Sequence, residues 1–104
     1  MIITNTATVP GKEVVEVLEV VYGNTVQAKH LGKDIMAGFK SLVGGEIVGY
    51  SEMLTEARER ATQRMVNAAE SVGADAVVNV RYTTSAIMQG MSEVLAYGTA
   101  VKLR

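Results

Sequence analysis

Valine sets the first pattern. Residues 14 to 28 read VVEVLEVVYGNTVQA, and β-branched density of this kind favours strand over helix. Under strict alternation Val15, Val17 and Val21 fall on one face. Val14, Leu18, Val20 and Tyr22 fall on the other, with Glu16. Both faces are then partly apolar, which predicts that both are covered. Gly23-Asn24 inside the run fits either a two-residue hairpin turn or a bulge in one long strand. Residues 2 to 8 form a shorter β-branched run that stops before Pro10-Gly11, as an edge strand would.

The period then changes. In LGKDIMAGFKSLVGG, Ile35, Met36, Phe39, Leu42 and Val43 make one apolar helical stripe, with Lys33, Lys40 and Ser41 facing away. Gly44 suits the position just past that helix, where a left-handed backbone is common. A second helix is clearer. Ser51 is a candidate N-cap, and Glu52 and Glu56 place negative charge near the positive end of the dipole. Met53, Ala57, Ala61, Met65 and Ala69 repeat every four residues, Leu54, Val66 and Val72 widen the stripe, and Gly73 ends it. A stripe this rich in alanine predicts close approach to whatever lies beneath.

Two strands close the chain. Val78, Val80 and Tyr82 alternate with Val77, Asn79 and Arg81, and Gln89-Gly90 marks a turn. Leu95, Tyr97, Val101 and Leu103 then alternate with Val94, Ala96, Gly98 and Ala100. The order is ββααββ. It predicts an α+β two-layer fold, an antiparallel sheet with two helices on one face. The face left uncovered, with Val94, Ala96, Gly98 and Ala100 as candidates, would need a partner. A homo-oligomer is the expectation.

Composition narrows the function. At 104 residues and 48% hydrophobic content, the chain reads as one domain, residues 1 to 104, burying roughly two-thirds of its unfolded surface. It has no cysteine, so disulfides, thiolate metal sites and thiol nucleophiles are excluded. No basic segment followed by an apolar core opens the sequence, and no apolar run approaches the roughly 18 residues of a membrane span. A cytoplasmic protein is expected, with no membrane partner. Ten Lys and Arg stand against eleven Asp and Glu, for a net charge of −1. The densest basic group, Arg58, Arg60 and Arg64, is interleaved with Glu56 and Glu59. Nucleic-acid binding wants a basic face, and none is visible.

The stretches KDIMAGFKSLVGGEIVGYSEML, AAESVGADAVVNVRYTT and AYGTAVKLR, with GKEVVEVLEVVYG before them, resemble the YbjQ family of small uncharacterised bacterial and archaeal proteins. That family carries a heavy-metal-binding label. The resemblance covers essentially the whole chain. It implies a dodecin-subunit-like α+β fold and a ring-shaped homo-oligomer, a pentamer, and it implies no established activity. Many relatives carry an arginine after the glycine pair where this chain has Glu46, so no role resting on positive charge there carries over.

Candidate chemistry is sparse. His30 is the single histidine, and Asp34 lies four residues on, a spacing that puts two ligands on one helical face. A structural zinc site wants four ligands. Met88 and Met91 flank the Gln89-Gly90 turn and could act as soft ligands for a metal such as Cu(I), although methionines at a turn more often pack. A divalent metal is therefore an alternative to no cofactor at all. No G-x-S-x-G, P-loop or G-x-G-x-x-G motif occurs. The acids Glu46 and Asp75 sit in expected loops, so an enzyme would need a composite site pooled across subunits. That leaves SLVGGEIVGYSEML. Gly44 and Ser51 are explained as a helix stop and a helix start. Gly45 and Tyr50 are not, and Gly44, Gly45, Glu46 and Tyr50 are the candidate ligand or interface residues at a subunit boundary.

Overall fold

The computed structural model describes residues 1–28 and 50–104, and for Tyr50 the backbone alone. Among these residues lie four strands and one helix: β1 (Ile2–Ile3), β2 (Val14–Ala28), α1 (Tyr50–Ser71), β3 (Ala76–Met88) and β4 (Met91–Leu103). The strands make one sheet in the order β1-β3-β4-β2. The class is α+β, but the expected antiparallel sheet with two helices in the order ββααββ is not matched. One helix is found among the described residues, and the helix expected over 31 to 43 lies outside them. The sheet is mixed, because β1 pairs in parallel with β3, Ile2 opposite Ala76 and Ile3 opposite Val77. The edge position expected for the N-terminal strand is found.

The helix docks through its alanines. Ala57, Ala61, Met65 and Ala69 are fully buried and Met53 nearly so. The four fully buried residues meet Val21, Val77, Val80, Val94, Ala96 and Ala100 in one core cluster. The small-residue face of β4 is therefore the covered face. The expectation that Val94, Ala96, Gly98 and Ala100 lie open is wrong, because their size admits the helix rather than a neighbouring molecule. Gly23 shows how close the approach is. A Cβ built there would stand 2.4 Å from the Ala61 carbonyl oxygen and 2.4 Å from the Met65 nitrogen. Gly23-Asn24 is neither turn nor bulge. It lies mid-strand, paired continuously with Ala96 and Leu95.

The bulges sit elsewhere and reverse part of the expected face assignment. On β2 the register shifts between Val14 and Glu16 and again between Val17 and Glu19. Each extra residue flips the alternation. Leu18 therefore joins Val21 against the helix, while Val17 lines the opposite face with Val78, Thr99 and Val101. On β3 one shift lies between Val78 and Arg81, at Asn79, which has a positive φ of 54°, and a second lies between Ala86 and Met88. Val77 thereby joins Val80 under the helix. Val78 turns to the far side with Ala76 and Val101, where Val9, Val14 and Leu103 pack on them.

The helix ends are equally specific. Gly73 has φ +77°, its N–H donates to the Glu70 carbonyl, and the Ala74 N–H donates to the Ala69 carbonyl. This paired closure of the last turn needs a left-handed residue, so the expected glycine stop is correct. At the other end Ser51 is inside the helix, which begins at Tyr50. Its carbonyl accepts from the Thr55 hydroxyl at 2.9 Å. Tyr50 is thus the first described residue of the helix.

Candidate functional site

The helix covers one face of the sheet, and Val9 with the residues around it covers part of the other. Between that cover and the Gln89-Gly90 turn, the second face carries a shallow groove of about 410 Å³ lined by Val20, Tyr22, Asn24, Glu93, Leu95 and Tyr97. Strand register builds it. Tyr22 is opposite Tyr97, Asn24 opposite Leu95 and Val26 opposite Glu93. In each row the two side chains stand on the same face, within reach of one another. Tyr22 is 64% exposed and Val20 62%, so large apolar area faces outward. At one end the Asn24 side-chain amide donates to the Glu93 carboxylate at 3.3 Å, which fixes a polar pair beside an apolar wall.

The central row extends to the third strand, because Arg81 lies opposite Tyr97. The Arg81 guanidinium is tethered: its Nη1 donates to the Asn5 carbonyl and to the Val80 carbonyl, each at 3.1 Å. On the helix side, Tyr82 and Thr62 share a hydrogen bond of 2.9 Å between their hydroxyls. Arg64 donates to the Asn24 carbonyl from the helix. Tyr82 therefore belongs to the scaffold and Arg81 to the groove face.

The residues singled out from sequence fare unevenly. His30, Asp34, Gly44, Gly45 and Glu46 lie outside the described residues. Tyr50 opens α1. Met88 and Met91 are brought together as cross-strand partners over the turn, where Gly90 has φ +76°, and Met88 is 62% exposed. Two thioethers make an incomplete soft-metal set. Among the described residues no group of three or more His, Asp or Glu is placed to hold a metal. Also among the described residues, no helix is long and apolar enough to cross a membrane. The groove residues Tyr22, Leu95 and Tyr97 were not picked out as a site from sequence. Their placement on one face depends on register, and the advance signals were the shared face of Val20 and Tyr22 and that of Leu95 and Tyr97.

Comparison with known proteins gives the lineage. A UPF0145 protein of Psychromonas ingrahamii is 65% identical over 104 residues, covering all of this chain and 99% of the relative. A UPF0145 protein of the archaeon Archaeoglobus fulgidus is 64% identical over 104 residues, covering all of this chain and 96% of that one. Among solved structures, a protein of unknown function from Pediococcus pentosaceus, placed in the DUF74 family, superposes with a TM-score of 0.63 at 17% identity, over all of this chain and 98% of the other. That likeness is one of fold. The family model described as "Putative heavy-metal-binding" matches residues 1–104, and the chain belongs to this YbjQ (UPF0145) family.

Proposed function

We propose that this protein is a cytoplasmic subunit of a homo-oligomeric ring, a pentamer in keeping with its resemblance to dodecin-like subunits, and that it binds a small ligand where subunits meet. The observation that carries this reading is the groove beside the outer edge of β2. Its wall of Val20, Tyr22, Leu95 and Tyr97 is too exposed to be a finished pocket, since ligand sites enclose most of a ligand's surface. A neighbouring subunit along β2 would supply the missing wall. The groove's chemistry suits a small, largely apolar molecule with a hydrogen-bond donor for Glu93. The test is a native mass spectrum of protein purified without an affinity tag, which reports the assembly and any retained small molecule together. A ring-sized species with added mass supports the reading, and a bare monomer ends it.

The family's description favours a second reading, soft-metal binding. The specific observation behind it is the cross-strand pair Met88 and Met91. Titration with Cu(I) under reducing conditions tests it. Binding that disappears in the Met88→Leu/Met91→Leu double variant supports it, and unchanged binding removes the methionine pair from consideration.

A further inference from the structure

Residues 4–13 begin beside one strand and end beside another. The Val80 N–H donates to the Thr4 carbonyl and the Asn79 N–H to the Thr6 carbonyl, which holds the start of the segment on the outer side of β3. Its end joins β2. There Glu13 and Arg104 exchange both backbone hydrogen bonds, at 3.1 and 2.9 Å, and their side chains pair at 2.7 Å. Between these anchors the chain spans the face opposite the helix as a strap, and Val9 packs on Ala76, Val78 and Val101. The strap has a rigid corner. In Val9-Pro10-Gly11-Lys12 the Lys12 N–H donates to the Val9 carbonyl at 3.0 Å, and Gly11 has φ +79°. Proline followed by glycine at the central positions is the type II arrangement, whose dihedrals both residues preset.

A cavity of about 560 Å³ lies between the strap and the sheet. It shares no lining residue with the groove of Tyr22 and Tyr97. It sits at the Val101 end of β4, whereas Ala28 stands opposite Met91 at the other end, about 30 Å away. Its size falls within the range of small-molecule sites, roughly 300–1,000 Å³, and so does its composition, an apolar surface with a few convergent polar groups. Val17, Val78 and Val101 supply the apolar part, and Thr8, Asn79 and Thr99 the polar part. Thr99 is half-buried, opposite Val78 and Val20. Among the described residues the Thr8, Asn79 and Thr99 side chains donate to nothing, although the Asn79 backbone N–H is taken by Thr6. Lys12 and Glu13 complete the wall. The Glu13 carboxylate is matched by Arg104. On the strap's other side, Lys12 borders Asp75, whose carboxylate accepts from the Leu103 N–H at 2.9 Å. Inside the cavity, Lys12 is the charge a ligand meets.

Asn79 adds a second kind of observation. It is the one non-glycine residue with positive φ among the described residues. Glycine meets that backbone at least cost, so asparagine there gives up some stability and supplies an amide to the cavity wall. Strain held at a bulge of this kind marks functional positions more often than silent ones. We infer that the cavity beneath the strap binds a small aliphatic carboxylate. The Lys12 ammonium, the Asn79 amide and the Thr99 hydroxyl supply donors for the carboxylate, and the three valines take the aliphatic body. A single carboxylate charge suits one ammonium, whereas phosphate is better matched by guanidinium forks. The site lies within one subunit and does not depend on the oligomer reading above.

The test is a saturation-transfer NMR titration of the untagged full chain with 4-methylpentanoate, and with 4-methylpentanamide as its neutral match. The acid should bind more tightly than the amide. Lys12→Gln should abolish that preference, weakening the acid by roughly threefold to fivefold, as for an exposed charge pair. Asn79→Gly should weaken the acid about tenfold, as loss of a hydrogen bond to a charged group does, while its unfolding midpoint is no lower than wild type. That midpoint separates a lost site from a lost fold. Tyr22→Ser, in the groove, should leave the binding unchanged. Equal binding of acid and amide, or unaltered binding in both Lys12→Gln and Asn79→Gly, would overturn the inference. So would no binding of the acid at millimolar concentration, and so would binding lost in Tyr22→Ser, which would place the ligand in the groove instead. A wild-type monomer that still binds the acid with this pattern would support the site and end the oligomer reading alone.

Discussion

Replacing Gly23 with alanine tests the packing that holds the molecule together. Two effects oppose each other. Glycine in a strand interior costs roughly 0.5–1 kcal/mol of backbone entropy relative to alanine, so the substitution would stabilise an open site. This site is not open. The new methyl would stand 2.4 Å from the Ala61 carbonyl oxygen, 2.4 Å from the Met65 nitrogen and 2.6 Å from the Arg64 Cβ. Two of the three are helix backbone and cannot swing aside. Relief to an ordinary contact of about 3.5 Å requires the helix to retreat by about 1 Å. A gap of that size forfeits a quarter to a half of each contact along the stripe, which includes the fully buried Ala57, Ala61 and Ala69. Overpacking of this kind costs about 1–3 kcal/mol, and backbone on the receiving side puts Gly23→Ala at the upper end. The net expectation is a loss of about 2 kcal/mol. Urea unfolding followed by far-UV circular dichroism at fixed protein concentration measures it. A midpoint equal to or above wild type would refute the claim that helix backbone rests on this strand.

Other outcomes follow from the same structure. Gly73→Ala forces a side chain into φ +77°, where a Cβ meets nothing nearer than the Lys102 Nζ at 3.8 Å. The cost is therefore conformational rather than steric, about 1–2 kcal/mol, and should appear as a lower unfolding midpoint with unchanged assembly. Asn79→Gly relieves a positive φ of 54° at the β3 bulge and should raise the midpoint or leave it unmoved, whereas Asn79→Val should lower it by more than about 1 kcal/mol. Glu56→Gln removes the ion pair with Arg60, whose side chains are 57% and 55% exposed respectively. Screening reduces such a pair to a few tenths of a kcal/mol, so the midpoint should barely move.

What could be read in advance follows a physical boundary. The buried stripe of the second helix was visible in its four-residue spacing, and Gly73 as its stop was visible because only local backbone geometry decides it. The two faces of β4 were visible too, since no bulge interrupts them. The faces of β2 and β3 were misread from Leu18 and Val77 onward. One unpaired residue reverses a strand's alternation, and nothing in VVEVLEV or VVNVRY announces where it sits. Asn79 was the one hint, because asparagine tolerates a left-handed backbone better than most residues. Gly23 looked like part of a turn or a bulge because its reason for being glycine is a contact with a helix some forty positions on. The small side chains of β4 looked like an interface for the same reason: size reveals close approach and not what approaches. The groove was hidden in register. Tyr22 and Tyr97 become neighbours only when β2 and β4 are aligned.

The measurement that tests the account most directly is the sedimentation equilibrium of untagged protein at micromolar concentration. The unfinished groove of Val20, Tyr22, Leu95 and Tyr97 predicts an assembly whose mass is a small whole multiple of the 11.1 kDa chain, five by resemblance, and which does not grow with concentration. A mass of one chain across that range would show that this groove has no neighbouring subunit to complete it, and would contradict the account.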